Sequence, residues 1–187
     1  MPTILSTLGK EYSQFLKSNG IETENDCFEV VSQPIYDLEF IDPGRSEHDF
    51  FLIPRGASMV DYKEGESRGF IEKPLAYTNM DLPSQIPSPK MQVVTGIEAS
   101  IAEYVGFTVI PEALDWAARA SVILLKGCKD YLRIPLFTIL EKEEQLDIPI
   151  VLMARQIFKV SIRCDYPIKT VFPVRIKLNG FEYRLLQ

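Results

Sequence analysis

Period-two alternation of apolar and polar positions is clearest near the C-terminus. In residues 157–165, Phe158, Val160, Ile162 and Cys164 take one side, and Lys159, Ser161, Arg163 and Asp165 take the other. Successive side chains of a strand point to opposite faces, so the pattern predicts a strand with one buried and one wet face. Val174, Ile176 and Leu178 repeat it against Arg175 and Lys177. Across Asn179-Gly180 the apolar set changes parity, to Phe181, Tyr183 and Leu185. An Asn-Gly hairpin explains the change by pairing Leu178 with Phe181 and Ile176 with Tyr183. A bulge at Gly180 within one long last strand explains it equally well. The hairpin sets Lys177 opposite Glu182, which is favourable, and Arg175 opposite Arg184, which is not. The pattern leaves both open.

Upstream, Met91, Val93, Ile97, Ala99 and Ile101 share one parity and predict a strand with one buried face, blurred by Val94 and Gly96. Short apolar runs broken by Pro, Asp and Gly over residues 27–55 read as strands and loops. Residues 56–69 are polar and Gly-bearing and predict an exposed loop. The stretches VILLKG, YLRIPLFTIL and IPIVLMARQIFKVSIRCDYP add further strands, with an acidic turn, EKEEQ, before the last.

Two segments follow helical spacing instead. Ile4, Leu5, Leu8, Tyr12, Phe15 and Leu16 form one stripe over residues 3–18, stopped by Asn19-Gly20. Such a helix either packs on the flank of the domain or reaches a neighbouring subunit as an arm. Residues 111–121 begin with Pro111, carry Glu112 and Asp115 early and Arg119 late, and set Leu114, Trp116, Ala117 and Ala120 on an apolar side. They predict a short helix inserted between strands. The fold class that emerges is mainly β: a helical arm at residues 1–20 and one β-sandwich domain at residues 21–187.

Composition agrees. The chain has 187 residues, enough for one domain with a substantial core, and its 11 Phe, 8 Tyr and 13 Pro suit strands joined by short turns. A net charge of −6 argues against a nucleic-acid clamp, which needs a basic patch, although Arg163, Arg175, Lys177 and Arg184 offer a local basic strip. No apolar run reaches the roughly 18 residues that span a bilayer. The first residues lack the basic start and long apolar stretch of a signal peptide, so synthesis in the cytoplasm is expected. Three widely spaced cysteines, Cys27, Cys128 and Cys164, point to a reduced compartment, with Cys164 a small buried hydrophobe.

Candidate chemistry is sparse. The one histidine, His48, lies in a polar segment and reads as a solvated loop residue; alone it cannot build a His-rich metal site. Glu141, Glu143, Glu144 and Asp147 lack the glycine and ligand rhythm of a calcium loop and read as a solvated turn, as do Asp61, Glu64 and Glu66. There is no phosphate loop and no dinucleotide fingerprint. No catalytic residue, cofactor or metal ligand is assigned, and a non-enzymatic role is expected.

Residues 77–97 (YTNMDLPSQIPSPKMQVVTGI) resemble a pattern from structural proteins of small tailless icosahedral bacteriophages: a Thr-Asn-Met element, a Pro-bounded loop, then an apolar strand ending near Gly-Ile. Residues 148–150 (IPI) and 155–160 (RQIFKV) resemble the family's penultimate strand, and residues 174–187 (VRIKLNGFEYRLLQ) its ending. The resemblance covers roughly residues 75–187. It implies a single jelly-roll β-sandwich that serves as a capsid or minor capsid component, assembled in the host cytoplasm from copies of itself and other virion proteins, with contact to an internal membrane left open. Amphipathicity and position then nominate Leu5, Leu8, Phe15, Leu82 and Ile86 as subunit contacts. The rival expectations are a receptor- or carbohydrate-binding β-sandwich, such as a trimeric spike with exposed Tyr62 or Tyr77, and a hydrolase with two facing carboxylates.

Overall fold

The computed structural model of the chain describes residues 2–18, 20, 28–51, 58–60, 69–71, 85–101, 111–127 and 129–185. Its strands are β1 (Phe28–Ser32), β2 (Ile35–Ile41), β3 (Glu47–Phe50), β4 (Ser58–Val60), β5 (Gly69–Ile71), β6 (Met91–Ile101), β7 (Ser121–Lys126), β8 (Lys129–Pro135), β9 (Glu144–Met153), β10 (Phe158–Arg163) and β11 (Phe172–Leu185). The helices are α1 (Pro2–Ser18), α2 (Pro111–Arg119) and α3 (Leu136–Ile139). β4 lies inside the polar stretch expected to be loop and pairs with β5, which begins at the last residue of that stretch. The helix α3 was not expected. It follows Pro135, within a run that reads as strand.

β1 and β2 are one strand in all but hydrogen-bond continuity. Both pair antiparallel with β11 in a single register, from Phe28↔Leu185 to Ile41↔Phe172. The break falls at Gln33 and Pro34; Pro34 has no N–H to donate, while Gln33 N still donates to Gly180 O at 3.1 Å. Taking β1–β2 as the first strand and setting β4–β5 aside leaves eight. Numbered along the chain, the two antiparallel sheets then run 1-8-3-6 (β1/β2-β11-β6-β9) and 2-7-4-5 (β3-β10-β7-β8). Strands 1 and 8, 2 and 7, 3 and 6, and 4 and 5 all pair, as in a long antiparallel ribbon folded over on itself. That is the wiring of a jelly roll.

The main core lies between the sheets. Ile97, Ala99, Ile101, Val174, Ile176 and Leu178 face Val122, Leu124, Phe158, Val160 and Ile162. Trp116, Ala113 and Ala117 of α2 and Leu136 and Ile139 of α3 belong to the same cluster. Leu114, placed by spacing on the apolar side of α2, is 45% exposed; Ala113 takes its place in the core. The connections 42–46, α2, α3 and 164–171 meet at one end of the sandwich. Cys164 N donates to Ser46 O at 2.9 Å, Leu136 N to Ala120 O at 2.9 Å, and Lys169 N to Glu112 Oε1 at 2.7 Å.

The parity change in β11 has a simple origin. No hairpin forms at Asn179-Gly180, and β11 alternates without a break. Asn179 pairs with Gly96 and Gly180 with Val94, so the extra residue is Thr95 of the neighbouring strand β6. Past that bulge β6 turns over. Val94 lies in the main core with Ile97, Ala99 and Ile101, whereas Met91 and Val93 lie in a second cluster on the other face. Tyr183 of β11 joins them there, and Leu8, Tyr12 and Leu16 of α1 close over all three. Gly180 makes the crossing possible, because a Cβ there would overlap the Val93 carbonyl.

Tyr12 anchors the helix. Its hydroxyl donates to Pro89 O at 2.7 Å, and its ring meets Phe28 edge-on at 5.4 Å and Tyr183 at 5.6 Å. Burial, and next the nearby Glu182 charge, push its pKa up to about 12, so the hydroxyl keeps the proton that it donates. Two expectations follow for equilibrium urea unfolding. Gly180→Val should lose about 2–4 kcal/mol, the range of large steric defects. Tyr12→Phe should lose about 1 kcal/mol for one hydrogen bond, and Tyr12→Ala about 3–5 kcal/mol. A Tyr12→Ala variant of unchanged stability would show that α1 is not docked on the sheet.

Candidate assembly surface

Several polar side chains of the two sheets form ion pairs and hydrogen bonds within the chain. On β3 and β10, Asp49 accepts hydrogen bonds from Lys159 Nζ at 3.0 Å and from the Ser161 hydroxyl, while Glu47 pairs with Arg163 at 3.2 Å. Among the described residues no group of three His, Cys, Asp or Glu side chains could hold a metal ion. The basic strip does not assemble. Arg163 lies in one sheet, whereas Arg175, Lys177 and Arg184 lie in the other. Lys177 pairs with Glu98 at 3.4 Å, Arg184 with Glu29 at 2.5 Å, and Arg175 lies 5.7 Å over the Tyr36 ring. No described helix is long and apolar enough to cross a membrane.

His48 is not the solvated loop residue that its neighbours in sequence suggest. It lies in β3, pairs with Ile162 of β10, and is 6% exposed. The polar residues around it alternate with it and take the other face of a short strand.

The five nominated contacts fall in different settings. Leu8 is buried in the second cluster, and Phe15 packs half-buried against that cluster, stacked on Tyr12 at 6.3 Å. Ile86 is buried; its backbone bridges to Ala154, and its carbonyl accepts from Arg155 N at 3.2 Å. Leu5 belongs to α1, but its side chain lies outside the described residues, as does all of Leu82. Tyr62 and Tyr77 lie outside them too.

Three of the exposed large apolar side chains lie on one stretch of the chain. β8 and β9 are edge strands, one in each sheet, and α3 joins them. On this one stretch Tyr131 is 52%, Phe137 62% and Ile148 80% exposed. Both edges are irregular. In β8 the register shift leaves Tyr131 without a partner on β7. In β9 pairing with β6 stops at Gln145 and resumes at Ile150, so Leu146, Asp147, Ile148 and Pro149 leave the ladder. Bulges and prolines of this kind keep an edge from pairing with any strand it meets. The apolar tips therefore offer side-chain contacts rather than an open ladder.

Lys126 ties the two edges together. Its Nζ donates to Val151 O of β9 at 2.7 Å and lies 5.4 Å over the Tyr131 ring of β8. Burial lowers its pKa, and among the described residues it has no carboxylate partner. The sequence does carry a signal for this surface. Phe137 follows Pro135-Leu136 out of phase with Leu132 and Ile134, and Ile148, though in phase with Ile150 and Leu152, stands between Asp147 and Pro149 after a run of acids. No protein-family model, curated protein or solved structure matches this chain.

Proposed function

We infer that the chain is a virion structural protein, a capsid or minor capsid unit that builds a closed shell with copies of itself and other virion proteins. The observation that carries this reading is the eight-strand jelly-roll wiring, which viral shells use among other proteins. Wiring alone does not assign a function. Two further features support a mechanical role: the apolar tips Tyr131, Phe137 and Ile148 on the β8–α3–β9 side, and polar groups that are spent on ion pairs within the chain. The likeness of residues 75–187 to structural proteins of tailless icosahedral phages points the same way. In such a shell the exposed edge of one subunit meets a complementary surface of the next under closed symmetry. A carbohydrate- or receptor-binding spike is the second reading, favoured by the exposed ring of Tyr131.

Light scattering and negative-stain imaging over a range of concentration and salt test the inference. Closed particles, or a ladder of oligomers, are expected for a shell unit; a discrete trimer that binds glycans would replace it with the spike. Phe137→Asp with Ile148→Asp should shift the protein to smaller species. Its urea midpoint should move little, since substitutions at exposed sites change stability by about 0.5 kcal/mol or less. Unaltered assembly by the double variant would exclude this edge as the contact.

A further inference from the structure

The only histidine of the chain sits against its only tryptophan. His48 faces inward from β3, and its ring meets Trp116 of α2 edge-on, with centroids 6.2 Å apart. The Trp116 side is wholly buried, with the indole at 1% exposure, and Trp116 in turn meets Phe172 edge-on at 5.4 Å. His48 Nε2 is buried and has no hydrogen-bond partner among the described residues, while the ring bonds to the Arg45 backbone. Proton uptake would turn that bare nitrogen into a cationic donor facing an apolar wall.

The Asp42 and Asp49 charges favour the protonated ring, but burial outweighs them, and among the described residues no side chain is hydrogen-bonded to Nε2. On its own strand Asp49 is committed to Lys159 and Ser161, and Glu47 to Arg163 and Lys159. In the preceding turn Asp42 and Arg45 act on the ring with opposite sign. On α2, Glu112 accepts from Lys169 N, Arg119 lies over the Tyr166 ring, and Asp115 is exposed. From β10, Ile162 is apolar, and just beyond it the Cys164 thiol donates to Trp116 O at 3.6 Å, leaving Asp165 exposed.

We propose that His48 is an acid-operated latch, holding β3 and the 42–46 turn against α2 when neutral and releasing them when it takes a proton. β3 is suited to such release. It is four residues long and, among the described strands, stands at the edge of its sheet and pairs only with β10. The sign follows from linkage. Burial holds the folded imidazole below its ordinary value of 6.5, so above that pH neither state binds the proton and stability is unaffected. As the pH falls through 6.5 the unfolded or opened form takes the proton first, and the latched form loses ground.

One histidine and one tryptophan make the test direct. Imidazole NMR of the unmodified protein gives the titration of His48 alone, and acrylamide quenching reports access to Trp116 over pH 5–8. The latch requires a midpoint below 6.5 and a severalfold rise in quenching across the same pH interval, with the β-sheet circular dichroism retained. In His48→Phe the quenching should stay flat with pH. A midpoint at or above 6.5, an indole whose access does not change with pH, or an unchanged pH response in His48→Phe would each overturn the proposal. The first two readouts need no variant, so a poorly folded His48→Phe leaves the test intact.

Discussion

Everything in this fold depends on two neighbouring strands being buried on both faces. The inner face of β6 and β11 packs into the sandwich through Ile97, Ala99, Ile101, Val174, Ile176 and Leu178. Further along the same pair, the outer face carries Met91, Val93 and Tyr183. A regular antiparallel pair with one wet side could not serve both. The extra residue at Thr95 turns β6 over, and Gly180 lets the two backbones approach at that point. Once the outer face is apolar, it needs a cover, and α1 provides one with the stripe Leu8, Tyr12 and Leu16. The helix is thus a consequence of the strand pair. Without it, aromatic and aliphatic side chains would form an exposed patch of the kind that drives association.

Polar groups within this frame do local work. Asp37 occupies an inward position of β2 opposite Ile176 and is fully buried. Its Oδ2 accepts the Phe51 N–H at 2.7 Å, just where Phe51 adopts a φ of 64°, a conformation that large side chains avoid. That bond satisfies the buried Phe51 N–H and helps to hold the turn. Gln92, also inward, donates to Gln33 O at 2.7 Å and so steadies the break between β1 and β2. Both contacts act where the chain leaves a regular ladder.

How legible the structure is in the sequence follows from how many environments each element faces. β10 has one apolar face, and its alternation gives it directly; α1 has one apolar stripe, and its spacing and stop signal give both ends to within a residue. β6 and β11 face two cores, so residues of one parity in β6 divide between opposite faces and no single-face reading can be right. His48 was hidden for the opposite reason: a four-residue strand is too short for alternation to stand out from the polar turn before it. The α3 helix was hidden because three of its four residues are apolar and continue a strand-like run, leaving Pro135 as the main marker. For the candidate surface, amphipathicity nominates the apolar residues that fit a period, and those tend to be buried by their own chain. Phe137 is out of phase with Leu132, Ile134 and Leu136, and Ile148 leaves the ladder beside Pro149, so both remain exposed.

The same distinction bears on the free rims of the sandwich. Wiring that pairs the first strand with the last closes the chain upon itself and leaves only the rims β3, β8, β9 and β1/β2 free. On one side the rims are bulged and tipped with apolar residues; on the other, β3 is short and pinned by His48 against α2. The two regions are not independent, because α2 packs on α3 and Leu136 N donates to Ala120 O at the end of α2. A change in how α2 is held therefore meets, within one hydrogen bond, the helix that carries Phe137. That adjacency makes the pinned rim and the apolar rim parts of one mechanical unit, with a titratable side chain at one end and an exposed ring at the other.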